Sequence, residues 1–176
     1  FGLNYTDFDW EVVDVDPGDI VDNDNVSLTA EQARSIDILI SVDVTNVGAY
    51  SGKDVLQLYY EAPSGKLTKP KRVLGGFNKT RLLAPGERDR ITLRISVPEM
   101  ASYDDTGVIA KSAYVLEAGT YNIYLGADVR DAYKLVSFNL DEDVVVEELS
   151  ERCKPSKLSK RMKADGTYEQ FEVTEY

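Results

Sequence analysis

Residues 35–46, SIDILISVDVTN, place Ile36, Ile38, Ile40, Val42 and Val44 at every second position, with Asp37, Ser41, Asp43 and Thr45 between them. A helix would scatter these five β-branched aliphatics around its circumference. A strand with one face on a core and the other toward water collects them on one side. Six more short segments share the habit: a strand over about 7–15 with Phe8, Trp10 and Val12 in alternation, then 53–61, 71–82, 88–97, 119–127 and 133–140. Turn signals separate them. Ala84-Pro85-Gly86-Glu87 suits a tight turn, because Pro presets φ and Gly accepts a positive φ; Glu117-Ala118-Gly119-Thr120 reads the same way. Pro98 has no N–H for a ladder, so the strand before it is expected to stop at Val97, with 98–105 as a crossover. Residues 26–34 read as a short helical or irregular connector, and no helix of ordinary length is required. Seven to eight strands at these spacings give an all-β antiparallel β-sandwich, followed by an extended C-terminal tail.

Composition excludes several functions. The 176 residues, 43% hydrophobic and 29% charged, suffice to bury a core without staples. With no histidine, the usual general base, the commonest metal ligand and the near-neutral pH switch are all missing, so Ser-His-Asp, Cys-His and HExxH chemistry are excluded. A single cysteine, Cys153, allows no internal disulfide and no four-ligand zinc site of N and S donors. Twenty basic against 31 acidic residues give a net charge of −11, which repels phosphate backbones and anionic membranes. Neither nucleic acid nor membrane is expected as a partner, and no cofactor motif occurs. The chain starts at Phe1 without Met or a leader pattern, as an excised or processed piece would.

Charge is nonetheless segregated. Residues 152–163, RCKPSKLSKRMK, carry six basic side chains and no acid, leaving −17 on the remainder. This run is expected to be a connector or docked arm, so the sandwich is assigned to 1–143 and the tail to 144–176. Asp14, Asp16, Asp19, Asp22 and Asp24 crowd one stretch, but counting from Asp22 puts Ser27 where a calcium loop needs Gly and Ala33 where it needs Glu; polar turns are the expectation. Asp104 and Asp105 match glycoside hydrolysis only in residue type, since neighbours on a strand point to opposite faces. Asp141, Glu142 and Asp143 close a strand and are expected to face solvent. Of Tyr59 and Tyr60, at least one is expected in the core; Tyr121 reads as a corner tyrosine whose hydroxyl ties down a connection. Exposed tyrosines could stack on sugar rings, a weak carbohydrate contact. KLTKPKR, 66–72, is a second basic patch suited to a solvated loop or to an acidic neighbour, and Cys153 lies beside Arg152 and Lys154.

The ordered segments resemble one family. FGLNYTDF at 1–8 is similar to FGxGLSYTxF, with Asn4 in place of Ser. VDVTNVGAYSGKDVLQLYY at 42–60 is similar to V-x-V-x-N-x-G-x-x-x-G-x-E-V-x-Q-L-Y, with Asp54 in place of Glu. KPKRVLGGF at 69–77, LLAPGER at 82–88, and ASYDD followed by LEAGTYNIYLGADVRD complete the order. Over residues 1 to about 140 this resembles the fibronectin type III-like domain of glycoside hydrolase family 3 enzymes, notably β-glucosidases. The resemblance implies an immunoglobulin/fibronectin type III-like sandwich acting as a non-catalytic accessory domain, its partners being the catalytic domains of the same polypeptide. The parent would be a retaining β-glucosidase-like hydrolase whose nucleophile and acid/base belong to other domains. No catalytic, cofactor-binding or metal-binding residue is therefore carried onto any number here, and loop 62–73 holds no diagnostic residue. A carbohydrate-binding module built on exposed aromatics is the second reading.

Overall fold

The computed structural model describes residues 5–17, 26–152, 159–163 and 165–170. All seven expected strands form: β1 (Phe8–Asp16), β3 (Asp37–Asn46), β4 (Val55–Glu61), β5 (Val73–Lys79), β6 (Arg88–Ser96), β9 (Gly119–Gly126) and β10 (Tyr133–Leu140). Six shorter ones join them, so the described residues hold more strands than the seven to eight expected: β2 (Ser27–Leu28), β7 (Ser102–Asp104), β8 (Ala113–Leu116), β11 (Val144–Glu148), β12 (Lys160–Met162) and β13 (Tyr168–Gln170). Runs of two to five residues are too short for periodicity to reveal. One helical turn, α1 (Ala30–Ala33), is capped by Thr29, whose hydroxyl accepts from Gln32 N while Gln32 Oε1 accepts from Thr29 N. A 3-10 turn at Pro98–Met100 follows β6, as the missing proline N–H requires.

Two sheets make the sandwich, ordered β1-β3-β6 and β2-β10-β9-β4-β5; a third, β11-β8-β7, and the hairpin β12-β13 sit beside them. Pairing is antiparallel except for the two-residue parallel contact of β10 with β2. Within the first sheet, Ile38 faces Ile95, Ile40 faces Leu93 and Val42 faces Ile91 across the β3–β6 register, all of them buried. Leu56 and Leu58 of β4, Tyr121, Ile123 and Leu125 of β9, and Val136, Phe138 and Leu140 of β10 meet them from the second sheet. Tyr121 and Phe138, directly opposite in register, stack with centroids 5.0 Å apart. Each of these side chains contributes about 2 kcal/mol by leaving water, which is why so small a chain needs no covalent staple.

Turn geometry explains the motif around Asn46. Its fully buried amide donates to the carbonyls of Tyr50 (2.8 Å) and Leu83 (2.9 Å) and accepts from Thr6 Oγ1 (2.7 Å) and Gly48 N (3.1 Å). Three connections thus meet on one side chain. At Gly48, an added Cβ would lie 2.6 Å from Asp7 N.

The sheets close on each other where β5 runs along β6. Asn78 Nδ2 donates to Thr92 O at 2.9 Å, and a Cβ on Gly76 would stand 2.2 Å from the Arg94 carbonyl oxygen. Gly76→Ala is therefore expected to lower stability by about 2–3 kcal/mol through overpacking against a backbone that cannot retreat. Urea unfolding followed by the Trp10 signal checks it; an unchanged midpoint would show that the two strands can part freely.

Candidate functional site

Asp104 and Asp105 do not face one another across a cleft. Asp104 is completely buried, and its two oxygens accept from the backbone N–H groups of Gly107 (2.8 Å), Val108 (3.1 Å), Ile109 (2.7 Å) and Ala110 (2.9 Å). Burial opposes its charge, but these four donors outweigh it and hold the carboxyl below its ordinary range. Asp105 accepts both contacts from Arg161 NH1, at 2.8 and 2.9 Å. One aspartate shapes a loop and the other pins the β12–β13 hairpin. Neither is available to move a proton on a sugar.

Lys66, Lys69 and Arg72 of the basic stretch 66–72 find acidic neighbours within the chain. Glu117, buried at the end of β8, accepts from Lys66 N, from Leu67 N (3.2 Å) and from Lys69 Nζ. Lys66 Nζ reaches Asp143 at 2.8 Å, whose other oxygen accepts from Ala118 N at 2.8 Å. Lys66 and that N–H hold the Asp143 carboxyl below its ordinary range. The expectation that Asp143 faces solvent is thus corrected: it fastens the loop that Glu117 anchors. Tyr121 completes the knot as the corner tyrosine, its hydroxyl donating to Glu117 O at 3.0 Å. Periodicity missed Glu117, because its partners lie about 50 residues away. The one available signal was a loop rich in lysine with no acid of its own.

The outward faces of the two sheets differ. On the first, Asp43 takes Arg90 (2.6 and 2.9 Å) and Arg88 (3.2 Å), and Asp37 takes Arg94 (2.7 Å). On the second, polar groups interlock around two tyrosines. Tyr59 Oη donates to Gln57 Oε1 at 2.6 Å, and Tyr124 Oη donates to Glu61 Oε2 at 2.7 Å. Arg72 gives Glu61 Oε1 two hydrogen bonds (3.1 and 2.8 Å), donates to Val129 O at 2.9 Å, and lies 3.9 Å above the Tyr124 ring. Burial raises the Glu61 pKa, yet Tyr124 and Arg72 together bring it below the ordinary range; burial and then Glu61 push the Tyr124 hydroxyl up. With both oxygens occupied by donors, Glu61 is a fixed anion rather than a base.

An open cleft beside this cluster is lined by Glu61, Lys71, Arg72, Val129 and Arg130. It can receive a carboxylate, but it offers no acid–base pair. Tyr60, half-buried, packs against the core as expected of at least one of the pair, whereas Tyr59 is buried on the outward face. Tyr103 and Tyr114, both partly exposed, stand 5.4 Å apart at 56°, so they present no single flat platform to a sugar ring. Of the acidic stretch, Asp14 and Asp16 lie exposed on β1, whereas Asp19, Asp22 and Asp24 fall outside the described residues, as do Cys153 and Lys154. Among the described residues no three His, Cys, Asp or Glu side chains are grouped to hold a metal.

Two outcomes follow for the carboxylates. Asp104→Asn keeps the volume but loses an acceptor oxygen, so it is expected to destabilise by about 2–3 kcal/mol at pH 7. Because the folded carboxyl titrates below its ordinary 3.8, that contribution is present above 3.8 and lost as pH falls through the folded value. Urea unfolding at pH 7 and pH 3 should show the gap narrowing; a gap independent of pH would refute the charged-acceptor account. Glu117→Ala strands the largely enclosed Lys69 ammonium and is expected to cost about 3 kcal/mol, partly recovered in the double variant with Lys69→Met. Equal urea midpoints for the single and double variants would remove Lys69 from the account.

Comparison with known proteins agrees with this geometry. Residues 54–129 match the fibronectin type III-like domain family. β-Glucosidase A of Butyrivibrio fibrisolvens is 46% identical over 176 residues, covering 99% of this chain and 21% of that protein; a β-glucosidase of Ruminococcus albus is 38% identical, covering 92% and 15%. A crystal structure of a β-glucosidase from Paenibacillus barengoltzii superposes with a TM-score of 0.77 at 42% identity, covering 97% of this chain and 18% of that one. The chain thus spans about a fifth or less of the length of these relatives, in which the matching segment is one part of a longer polypeptide. It is a fibronectin type III-like domain of the kind that glycoside hydrolase family 3 β-glucosidases carry.

Proposed function

We propose that this chain is a non-catalytic accessory domain of a retaining β-glucosidase-like enzyme, holding the catalytic domains of the same polypeptide in their working geometry. One observation carries the proposal: nearly the whole chain aligns with about a fifth of β-glucosidase A. The carboxylates agree, for Asp104, Glu117 and Glu61 are each saturated by donors within the domain. A carboxylate so occupied stabilises a fold and cannot serve as nucleophile or general acid. The action is interface burial, on the order of 600–1,500 Å² for an inter-domain contact.

In the same proposal the sandwich occupies 1–143, and 144–176 is a segment that docks on it before leading to a further domain. Supporting this, Val145 pairs with Val115, Val144 is buried, and Arg161 binds Asp105. The proposed partners include neither nucleic acid nor membrane, in keeping with the net charge of −11.

Hydrolysis of nitrophenyl β-glucoside is the test. The purified chain is expected to show no turnover above buffer. Supplied to a β-glucosidase A from which the matching segment has been deleted, it is expected to raise activity or thermal stability. Turnover by the chain alone would overturn the proposal.

A further inference from the structure

β5 carries a bulge at Gly75: Leu58 pairs with Gly76, and Tyr59 pairs with Leu74. The extra residue turns both Leu74, opposite Tyr59, and Phe77, opposite Gln57, to the face on which Tyr59 and Gln57 bond each other. That face is the outward one of the five-stranded sheet, where Leu74 is 48% and Phe77 69% exposed. Beside them opens the cleft of Glu61, Lys71, Arg72, Val129 and Arg130. Among its lining residues three cations meet one carboxylate, which is already held by Arg72 and Tyr124; the neighbouring Asp128 carboxylate accepts from the backbone N–H groups of Arg130 and Asp131, and Lys71 and Arg130 make no ion pair among the described residues. On the opposite outward face, by contrast, Arg88, Arg90 and Arg94 are all matched in-chain by Asp43 and Asp37.

We propose that this face, with Leu74 and Phe77 beside the Lys71–Arg72–Arg130 cleft, is the surface by which the domain docks on the catalytic portion of a β-glucosidase-like polypeptide, against a patch presenting carboxylates next to apolar side chains. The assignment rests on the accessory role proposed above. Charge complementarity selects the occupant. Surplus cations in a chain of −11 select acidic groups, while aliphatic and aromatic side chains held on a locked Tyr59–Tyr124 base supply the anchors that dominate interface energy. A second copy of this domain would have to bring a like cleft with it, with cations facing cations across a two-fold axis.

The test replaces the matching segment of Butyrivibrio β-glucosidase A by this chain and compares three versions of the chimera: unsubstituted, Phe77→Asp, and Thr92→Asp on the opposite outward face. Phe77→Asp is expected to leave the melting temperature of the isolated chain unchanged, but to lower the inactivation temperature of the chimera by about 5 °C or more. Lys71→Glu with Arg130→Glu should do the same, and Thr92→Asp should move neither. A Phe77→Asp chimera as stable as the unsubstituted one overturns the docking assignment and leaves the accessory role standing. An unsubstituted chimera without β-glucosidase activity overturns the accessory role and the docking assignment with it. Sedimentation of the isolated chain as a dimer that Phe77→Asp dissociates assigns the face to a second copy and overturns the proposal.

Discussion

The dry contact between β3–β6 and β4–β9–β10 is the constraint that the rest of the molecule serves. Aliphatic and aromatic side chains of both sheets fill the interior, with the Tyr121 hydroxyl tied to the Glu117 carbonyl, so the connections satisfy their backbone groups at the rim. The chain does this with buried polar side chains that each accept or donate several times. Asn46 joins the start of β1, the turn after β3 and the turn before β6. Asp104 organises 107–110, and Glu117 gathers 66–69. Three side chains of modest size thereby replace the disulfide that small extracellular sandwiches use, at sites where an unfilled acceptor would be costly.

The extent to which this was legible in the sequence follows the range of the interaction. Alternation over 35–46 located β3 because the signal is contained within the strand, and Pro85-Gly86 located its turn because the turn is four residues long. Tyr121 was legible because its hydroxyl reaches back only four residues, to Glu117. The Glu117 carboxylate was not legible. Nothing near it distinguishes an acid in a turn from one whose oxygens collect donors from 50 residues upstream. The basic loop was half legible: an acidic neighbour was foreseen, though its place in the same chain was not.

β5 shows a different kind of limit. Read at period two, Val73, Gly75 and Phe77 would share a face and Leu74 would oppose them. One extra residue at Gly75 reverses this, sending Leu74 and Phe77 to the same side. A single insertion leaves the composition and hydrophobicity of the strand untouched and yet decides which side chains a partner would meet. The family resemblance carried over the order of the strands but not this facing, which depends on the register with β4.

The two outward faces show how one fold separates solvation from contact. Exposed pairs such as Arg94–Asp37 add little stability, since the guanidinium remains hydrated. Their effect is to leave the arginines on the face of β1-β3-β6 held by near neighbours and unattractive to a partner. The same residue types behave differently over β4–β9, where Arg72 is spread across the Tyr124 ring and fixed by Glu61. There the rotamer entropy of a long side chain is already lost in the free domain, and the ordering cost of association falls accordingly. A surface that is apolar, cationic and rigid before it meets anything is suited to contact, and a surface of balanced, hydrated pairs is suited to water.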